Sequence, residues 1–227
     1  EYVVAKFNED YSSVTITPNT PDSDGIAIGN TATFRNHKDT LKEIIVKKGI
    51  TEIKSNIFWN CTSVTKIILP DTLTTIGYKA FESCTSLKEI TIPNSVTFID
   101  SYAFSGCSAL ETIKLSENIT GIPAYAFTGC SSLKNIEIPK NVTNISKSAF
   151  FSCKALETII IPENVTVITE LAFYHCDNLK SITIPESVSR IEDNVFKNCP
   201  NFTTIYGKTG SYAESYAYAN GYTFIAQ

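Results

Sequence analysis

The chain has 227 residues, of which 43% are hydrophobic and 19% are charged, and its formal net charge is −4. This balance is typical of a folded soluble protein. No apolar run approaches the ~18 residues of a membrane span, and no Lys/Arg block favours a nucleic-acid or anionic-membrane partner.

Residues 1–37 are the first predicted element, an N-terminal cap. They contain a strand-like stretch at residues 14–16 and a turn-rich loop at residues 18–25. Within that loop, residues 22–25 begin like a calcium-binding loop, but the third acidic position and the distal glutamate are missing. A polar turn therefore explains this stretch better than a metal site does.

A 23-residue repeat runs through residues 38–206. All seven cysteines lie on it, and one phenylalanine column, two isoleucine columns and a proline column share its period. Six full units begin at Cys61, Cys84, Cys107, Cys130, Cys153 and Cys176, and residues 38–60 form a further unit without the cysteine. Several columns at one fixed period identify a repeat architecture of about seven units.

Each unit predicts a short strand, a stop and a turn. In the unit that begins at Cys84, residues 87–92 end in period-2 alternation, and Pro93 then ends the strand. Residues 96–99 predict a second short extended piece, and residues 102–106 predict one helical or 3₁₀ turn. Because one unit is too small to bury its own apolar side chains, the units must stack. The pattern predicts a right-handed solenoid with a parallel β-sheet on one face.

Residues 207–227 predict a C-terminal cap. Ser211 and Glu214 have the spacing of a capping box, residues 212–220 predict a short helix, and Gly221 suits its C′ position. We expect this helix to cover the last unit, so that caps and repeats form one solenoid domain. Residues 207–209 resemble the end of a phosphate-binding loop, but Phe202 stands where that loop needs a glycine.

The cysteine column has three candidate roles. Disulfides between neighbouring units are within reach at a strand spacing of ~4.8 Å, although seven is an odd number and in-register side chains point the same way. A metal site would need closer cysteine spacing or histidine partners, and His37 and His175 lack ligand spacing. His175 next to Cys176 has no partner in the sequence to orient it as a base. Buried reduced thiols that pack as small hydrophobes are favoured.

The unit resembles a known family. Residues 84–104 match the pattern C-x-x-L-x-x-I-x-[IL]-P-x-x-[VL]-x-x-I-x-x-x-A-F, which is similar to that of BspA-like, or Treponema-type, leucine-rich repeat proteins. The resemblance covers residues 38–226 and implies a leucine-rich-repeat solenoid. It also implies an extracellular or cell-surface adhesion protein of bacterial or protist origin, without shared catalytic residues. The chain begins at Glu1 without a signal peptide, and we expect Glu1 to be a processed end.

These features predict a non-enzymatic, monomeric recognition module that binds a protein or glycan ligand, including ligands from a host. The sequence predicts no catalytic, metal-binding or cofactor-binding residues, no nucleic-acid partner and no membrane insertion. The alternative is a structural spacer that presents another domain of a larger surface protein. An enzyme is less favoured because no column pairs a nucleophile or acid with a base.

Two surfaces are candidate ligand sites. After Glu137, the outward columns of the strand face lose their charges and expose apolar side chains among hydroxyls. The residues of this strand-face patch are Thr158, Ile160, Ser181, Thr183, Thr204 and Tyr206. The alternative is an aromatic flank two positions before the cysteine, formed by Trp59, Phe151 and Tyr174. Since threonine and isoleucine are good strand residues, an inert sheet surface also explains the patch.

A further outward column is formed by Lys88, Glu111, Lys134, Glu157 and Lys180. Its charge changes sign at every unit. Opposite charges on adjacent strands stabilise the pairing modestly, whereas like charges destabilise it. The column therefore predicts support for strand register, with recognition of a charged ligand as the second interpretation.

Overall fold

The computed structural model of the chain describes residues 3–19, 26–28, 34 and 36–227, with the backbone alone for residues 26–28. The polar turn predicted at residues 22–25 lies outside the described residues. From Glu43 to Tyr206 the chain winds as a solenoid in which each turn, called a rung below, takes 23 residues. The solenoid predicted from the repeat is therefore confirmed.

Short strands account for most of the regular structure. In chain order they are β1 (Val3–Phe7), β2 (Ser13–Pro18), β3 (Ile26–Ile28), β4 (Glu43–Val46), β5 (Ile50–Ile53), β6 (Lys66–Ile68), β7 (Thr75–Ile76), β8 (Glu89–Thr91), β9 (Phe98–Ile99), β10 (Thr112–Lys114), β11 (Gly121–Ile122), β12 (Asn144–Ile145), β13 (Thr158–Ile160), β14 (Val167–Ile168), β15 (Ser181–Thr183), β16 (Arg190–Ile191), β17 (Thr204–Gly207) and β18 (Thr223–Ala226). The described helix, α1, is Tyr212–Ala219.

The strands form two faces. One face contains the sheets β1-β2-β4-β6, β8-β10 and β13-β15-β17-β18, and the other contains β3-β5-β7-β9 and β11-β12-β14-β16. Parallel neighbours pair one repeat apart, so that Ile159 lies opposite Ile182 and Ile182 lies opposite Ile205. The first face is the strand face of the sequence analysis, and its parallel pairing is confirmed except at its first strand, β1, which pairs antiparallel with β2.

The sheet of the strand face extends into both predicted caps. β2 contains the predicted strand at residues 14–16 and pairs in parallel with β4. Its Val14 and Ile16 side chains are fully buried in the core. At the other end, α1 begins after Ser211, whose hydroxyl accepts a hydrogen bond from the Glu214 amide. The chain then returns as β18, which pairs with β17. The C-terminal cap is therefore the predicted helix together with one further strand.

Stacked phenylalanine rings run through the core. Their centroids lie 5.3–5.9 Å apart and their planes are within 15° of parallel. The stack contains Phe58, Phe81, Phe104, Phe127, Phe150, Phe173 and Phe196. Because equivalent rings are one rung apart, these distances measure the rung separation on this side of the solenoid. It exceeds the ~4.8 Å between paired strands, so the strand face is the shorter, concave side.

The turn next to these rings carries a ladder of backbone hydrogen bonds between rungs. The amides of Tyr125, Phe127 and Gly129 donate to the carbonyls of Lys147, Ala149 and Phe151 at 3.0, 2.9 and 2.8 Å. The intervening amides close local turns onto carbonyls three residues earlier, and the same arrangement recurs at every rung junction between residues 56 and 197. Since Tyr125 and Gly129 have φ values of +59° and +73°, the segment is a run of turns rather than a continuous helix.

The cysteine column lies directly behind this turn ladder. All seven cysteines are free and at most 9% exposed. From Cys84 onward each thiol donates to a phenylalanine carbonyl of the preceding rung, as Cys130 Sγ does to the Phe104 oxygen at 3.2 Å. Burial raises the pKa of Cys61 to about 12. The thiol is therefore both a small core side chain and a hydrogen-bond donor, a second role that the repeat pattern did not indicate.

Replacing one ring tests whether the phenylalanine stack is the core of the fold. Phe127→Ala should lower the free energy of unfolding by ~3–5 kcal/mol, because it leaves a cavity between two rungs. Phe98→Ala is the matched control, since Phe98 is 53% exposed, and it should cost less than ~1 kcal/mol. Equilibrium urea denaturation measures both values, and equal losses would contradict the assignment.

Thiol accessibility tests the role of the cysteines. In native protein, a thiol-reactive dye should label Cys199 first, because it is the most exposed of the seven and a hydrogen bond from Cys176 lowers its pKa. The remaining cysteines should react only after denaturation. Mass spectrometry of the labelled protein counts the modified thiols, and disulfides found in the native protein would rule out the packing role.

Candidate functional site

The structure brings the whole strand-face patch together. Its two columns are Thr158, Ser181 and Thr204, and Ile160, Thr183 and Tyr206, each formed by register partners on β13, β15 and β17. β18 extends the same columns with Thr223 and Ile225, which the sequence analysis assigned to the cap. Ile160 is 70% exposed, more than any other large hydrophobic side chain of the described residues.

A groove borders the patch at Ile160. It has a volume of about 770 Å³ and is lined by Asn135, Ile136, Glu137, Ile138, Lys140, Thr158, Ile159, Ile160, Ile161, Pro162, Glu163 and Asn164. Five of these residues are isoleucines, and Glu137, Lys140 and Glu163 are the charged ones. An apolar depression therefore continues the patch toward the middle of the solenoid.

The groove lies where the sheet of the strand face is interrupted. Residues 135–138 alternate like the other strands, yet in the described chain they pair with neither β10 nor β13. The hydrogen bonds on either side are stretched, to 3.5 Å from the Lys134 amide to Glu111 and 3.4 Å from the Glu157 amide to Lys134. The strand that the repeat predicts here is therefore not formed, and the sheet of the strand face stops at β10 and resumes at β13.

A second groove of about 670 Å³ lies three rungs earlier on the same face, where β6 and β8 belong to different sheets. Its lining includes Lys66, Asp71, Glu89 and Lys114. Ile67, Ile68, Leu69, Ile90 and Ile113 also line it, so both grooves combine apolar and charged side chains. The two outward columns themselves are charged in the N-terminal half of the concave face and carry no charge after Glu137.

The alternating charge column forms ion pairs between rungs. Lys134 Nζ lies 3.5 Å from Glu111, and Lys180 Nζ lies 2.6 Å from Glu157. The hydrogen bond from Lys180 lowers the pKa of Glu157. Exposed pairs of this kind contribute ~0–1 kcal/mol each, so their effect is modest support for the register of neighbouring rungs.

The aromatic flank is only partly assembled. Phe151 and Tyr174 stack with centroids 5.0 Å apart and planes at 12°, as their spacing predicts. Asn198 Nδ2 donates to the Tyr174 hydroxyl at 2.8 Å, and the His175 ring meets Tyr174 edge-on at 4.9 Å. Trp59 is 44% exposed but lies four rungs before Phe151, so it does not join the pair.

A tyrosine ladder on another flank escaped the sequence analysis. Tyr102 and Tyr125 stack at 4.5 Å, and Tyr78 meets Tyr102 edge-on at 5.6 Å. Lys79 Nζ lies 5.5 and 5.1 Å from the centroids of Tyr78 and Tyr102, and its ion pair with Glu82 raises its pKa. The 23-residue spacing of Tyr102 and Tyr125 is the signal in the sequence, but Tyr78 is displaced by one position.

The only histidine–cysteine neighbours do not form a catalytic pair. The Cys176 thiol donates to the Phe150 carbonyl at 3.2 Å inside the core, whereas the His175 ring lies outside, 3.5 Å from Asp177. Among the described residues, no group of three His, Cys, Asp or Glu side chains is arranged to hold a metal ion. No helix in the described part of the chain has the length and apolarity needed to cross a membrane.

Known proteins share this repeat and this fold. A family profile described as "BspA type Leucine rich repeat region" matches residues 26–156 and 99–224, in six copies. The leucine-rich repeat protein of T. pallidum has a similar structure, with a TM-score of 0.66, 21% identity and coverage of 98% of this chain and 95% of that chain. A leucine-rich repeat protein of Bacteroides ovatus ATCC 8483 has a TM-score of 0.56, 23% identity and coverage of 91% and 70%. No curated protein sequence matches the chain.

Proposed function

This chain belongs to the BspA-type leucine-rich repeat family, and we propose that it is a non-enzymatic recognition module at the cell surface. The ligand, a protein or a glycan of a host or of another cell, binds to the concave strand face of a monomer. A solenoid suits this task because its stacked rungs form an extended, concave binding surface.

The observation that carries the proposal is the exposure of Ile160 beside an apolar groove. Ile160 is 70% exposed, and Ile138, Ile161 and Pro162 line the groove next to it. Hydroxyl side chains flank this apolar centre on β15, the strand paired with β13. Recognition surfaces are commonly built in this way, with an apolar anchor inside a polar rim that excludes water.

A spacer that holds another domain away from the cell is the second candidate. The uninterrupted phenylalanine stack and the turn ladder favour it, because together they make a stiff rod from residue 56 to residue 197. A spacer has no need for an exposed apolar anchor on its concave face. A distal enzyme or adhesin domain in the full-length protein would support the spacer.

Binding measurements with two double variants test the recognition proposal. A ligand found by screening the purified chain against glycan and host-protein arrays should bind Ile160→Glu with Tyr206→Ala at least ~10-fold more weakly, or ~1.4 kcal/mol. The control is Ile68→Glu with Lys114→Ala, which changes the equivalent positions four rungs earlier and should bind normally. Circular dichroism should be unchanged for both, since all four side chains face outward.

The same measurements decide between the strand face and the aromatic flank as the ligand site. If the strand-face variant binds normally while Phe151→Ala with Tyr174→Ala abolishes binding, the ligand site is the flank. A screen without any ligand, in a chain that remains folded, would instead favour the spacer.

A further inference from the structure

Four consecutive strands present a regular array of hydroxyl groups. Two columns of side chains run across these strands, in the order β13, β15, β17 and β18. The first column has a hydroxyl on every strand and consists of Thr158, Ser181, Thr204 and Thr223. The second column mixes apolar, hydroxyl and aromatic side chains and consists of Ile160, Thr183, Tyr206 and Ile225. The register is one to one, so equivalent side chains repeat at the strand spacing of ~4.8 Å.

Most of these hydroxyls are not used by the fold. At another position of the repeat, threonine hydroxyls bind the preceding rung, as Thr74 and Thr143 do by donating to the carbonyls of Thr51 and Thr120 at 3.0 and 3.1 Å. Within the described chain, no protein hydrogen bond is made by the side-chain hydroxyls of Thr158, Ser181, Thr183 or Thr223. Each is therefore free to donate and to accept a hydrogen bond from a ligand.

The absence of charged side chains from the array favours an uncharged ligand. The same two columns hold Lys66, Glu89, Lys114 and Glu137 in the N-terminal half, and no charged residue follows Glu137. The nearby Glu157 and Lys180 neutralise each other at 2.6 Å. On these two columns a charged ligand would lose water without gaining a counter-charge, whereas an uncharged hydroxyl-rich ligand would exchange one hydrogen-bonding partner for another.

The spacing of the array distinguishes an uncharged glycan from an uncharged peptide. An extended peptide laid across the strands repeats its side chains every ~6.7 Å, which is out of step with strands ~4.8 Å apart. A pyranose unit of an extended glycan is close to one strand spacing in length. Successive sugars would therefore meet successive hydroxyls, with their C–H faces against Ile160, Tyr206 and Ile225.

We propose that β13, β15, β17 and β18 bind an uncharged linear glycan laid along the solenoid axis, with one pyranose unit on each strand. This inference rests on the proposed function and names the ligand class of the same surface. The free hydroxyls hydrogen-bond to the sugar hydroxyls, and the groove at Ile160 receives the chain where it leaves the array.

Calorimetric titration of the full chain with neutral oligosaccharides tests the inference. The probes are cello-, manno-, xylo- and chito-oligosaccharides of two, four and six units, with hexagalacturonate as the charged probe. At least one neutral series should bind, with affinity rising at least ~10-fold from two to four units and less than ~3-fold from four to six. Four strands supply the array, so further sugars add little. Hexagalacturonate should bind at least ~10-fold more weakly than the best neutral hexamer.

Threonine-to-valine substitutions remove a hydroxyl while keeping the shape of the side chain, and they provide a matched pair of variants. Thr158→Val with Thr183→Val should weaken binding of the best tetrasaccharide at least ~5-fold, because two free hydroxyls are lost. Thr91→Val with Thr112→Val makes the same change in the N-terminal half of the same two columns and should leave the affinity unchanged. Equal melting temperatures would establish that both variants fold.

The outcomes separate this inference from the proposed function. Failure of all four neutral series to bind, affinity independent of chain length, or equal losses in the two valine variants would each overturn the glycan assignment. If a protein from the array screen then binds through Ile160 and Tyr206, the recognition function stands with a different ligand class. If neither a glycan nor a protein binds, both proposals fail.

Discussion

The separation between rungs is set on the turn side of the solenoid, and the rest of the structure depends on it. Three backbone hydrogen bonds cross each rung junction there, and the phenylalanine rings behind them stack at 5.3–5.9 Å. The cysteine thiols complete this layer by donating to phenylalanine carbonyls. Phenylalanine and cysteine repeat strictly because each must occupy the same place under the same ladder of hydrogen bonds.

The strand face is correspondingly free to vary. Since the turn ladder holds neighbouring rungs together, the sheets of the concave face can separate at β6/β8 and at residues 135–138 without ending the solenoid. A groove lies at each separation, and both grooves are lined by isoleucines together with charged side chains. Loss of strand pairing thus coincides with two grooves on a rigid scaffold, which is where ligand specificity resides in the proposed function.

The repeat was sufficient to predict features that depend on equivalent positions in successive rungs. The solenoid, the parallel strands and the Phe151–Tyr174 stack all follow from the 23-residue spacing. The gap at residues 135–138 could not be predicted, because its alternation of side chains is that of a paired strand. β18 and the Tyr78–Tyr102 contact were missed because they lie outside the repeat or one position away from it.

Native-state amide hydrogen exchange, resolved by residue, tests most directly whether the turn side holds the solenoid together. The amides of Phe127 and Gly129 bind the next rung and should exchange only through global unfolding. The amides of Ile136 and Ile138, in the unpaired segment of the strand face, should exchange at least ~100-fold faster. Equal protection of the two pairs of amides would show that the strand face is continuous and would contradict this account.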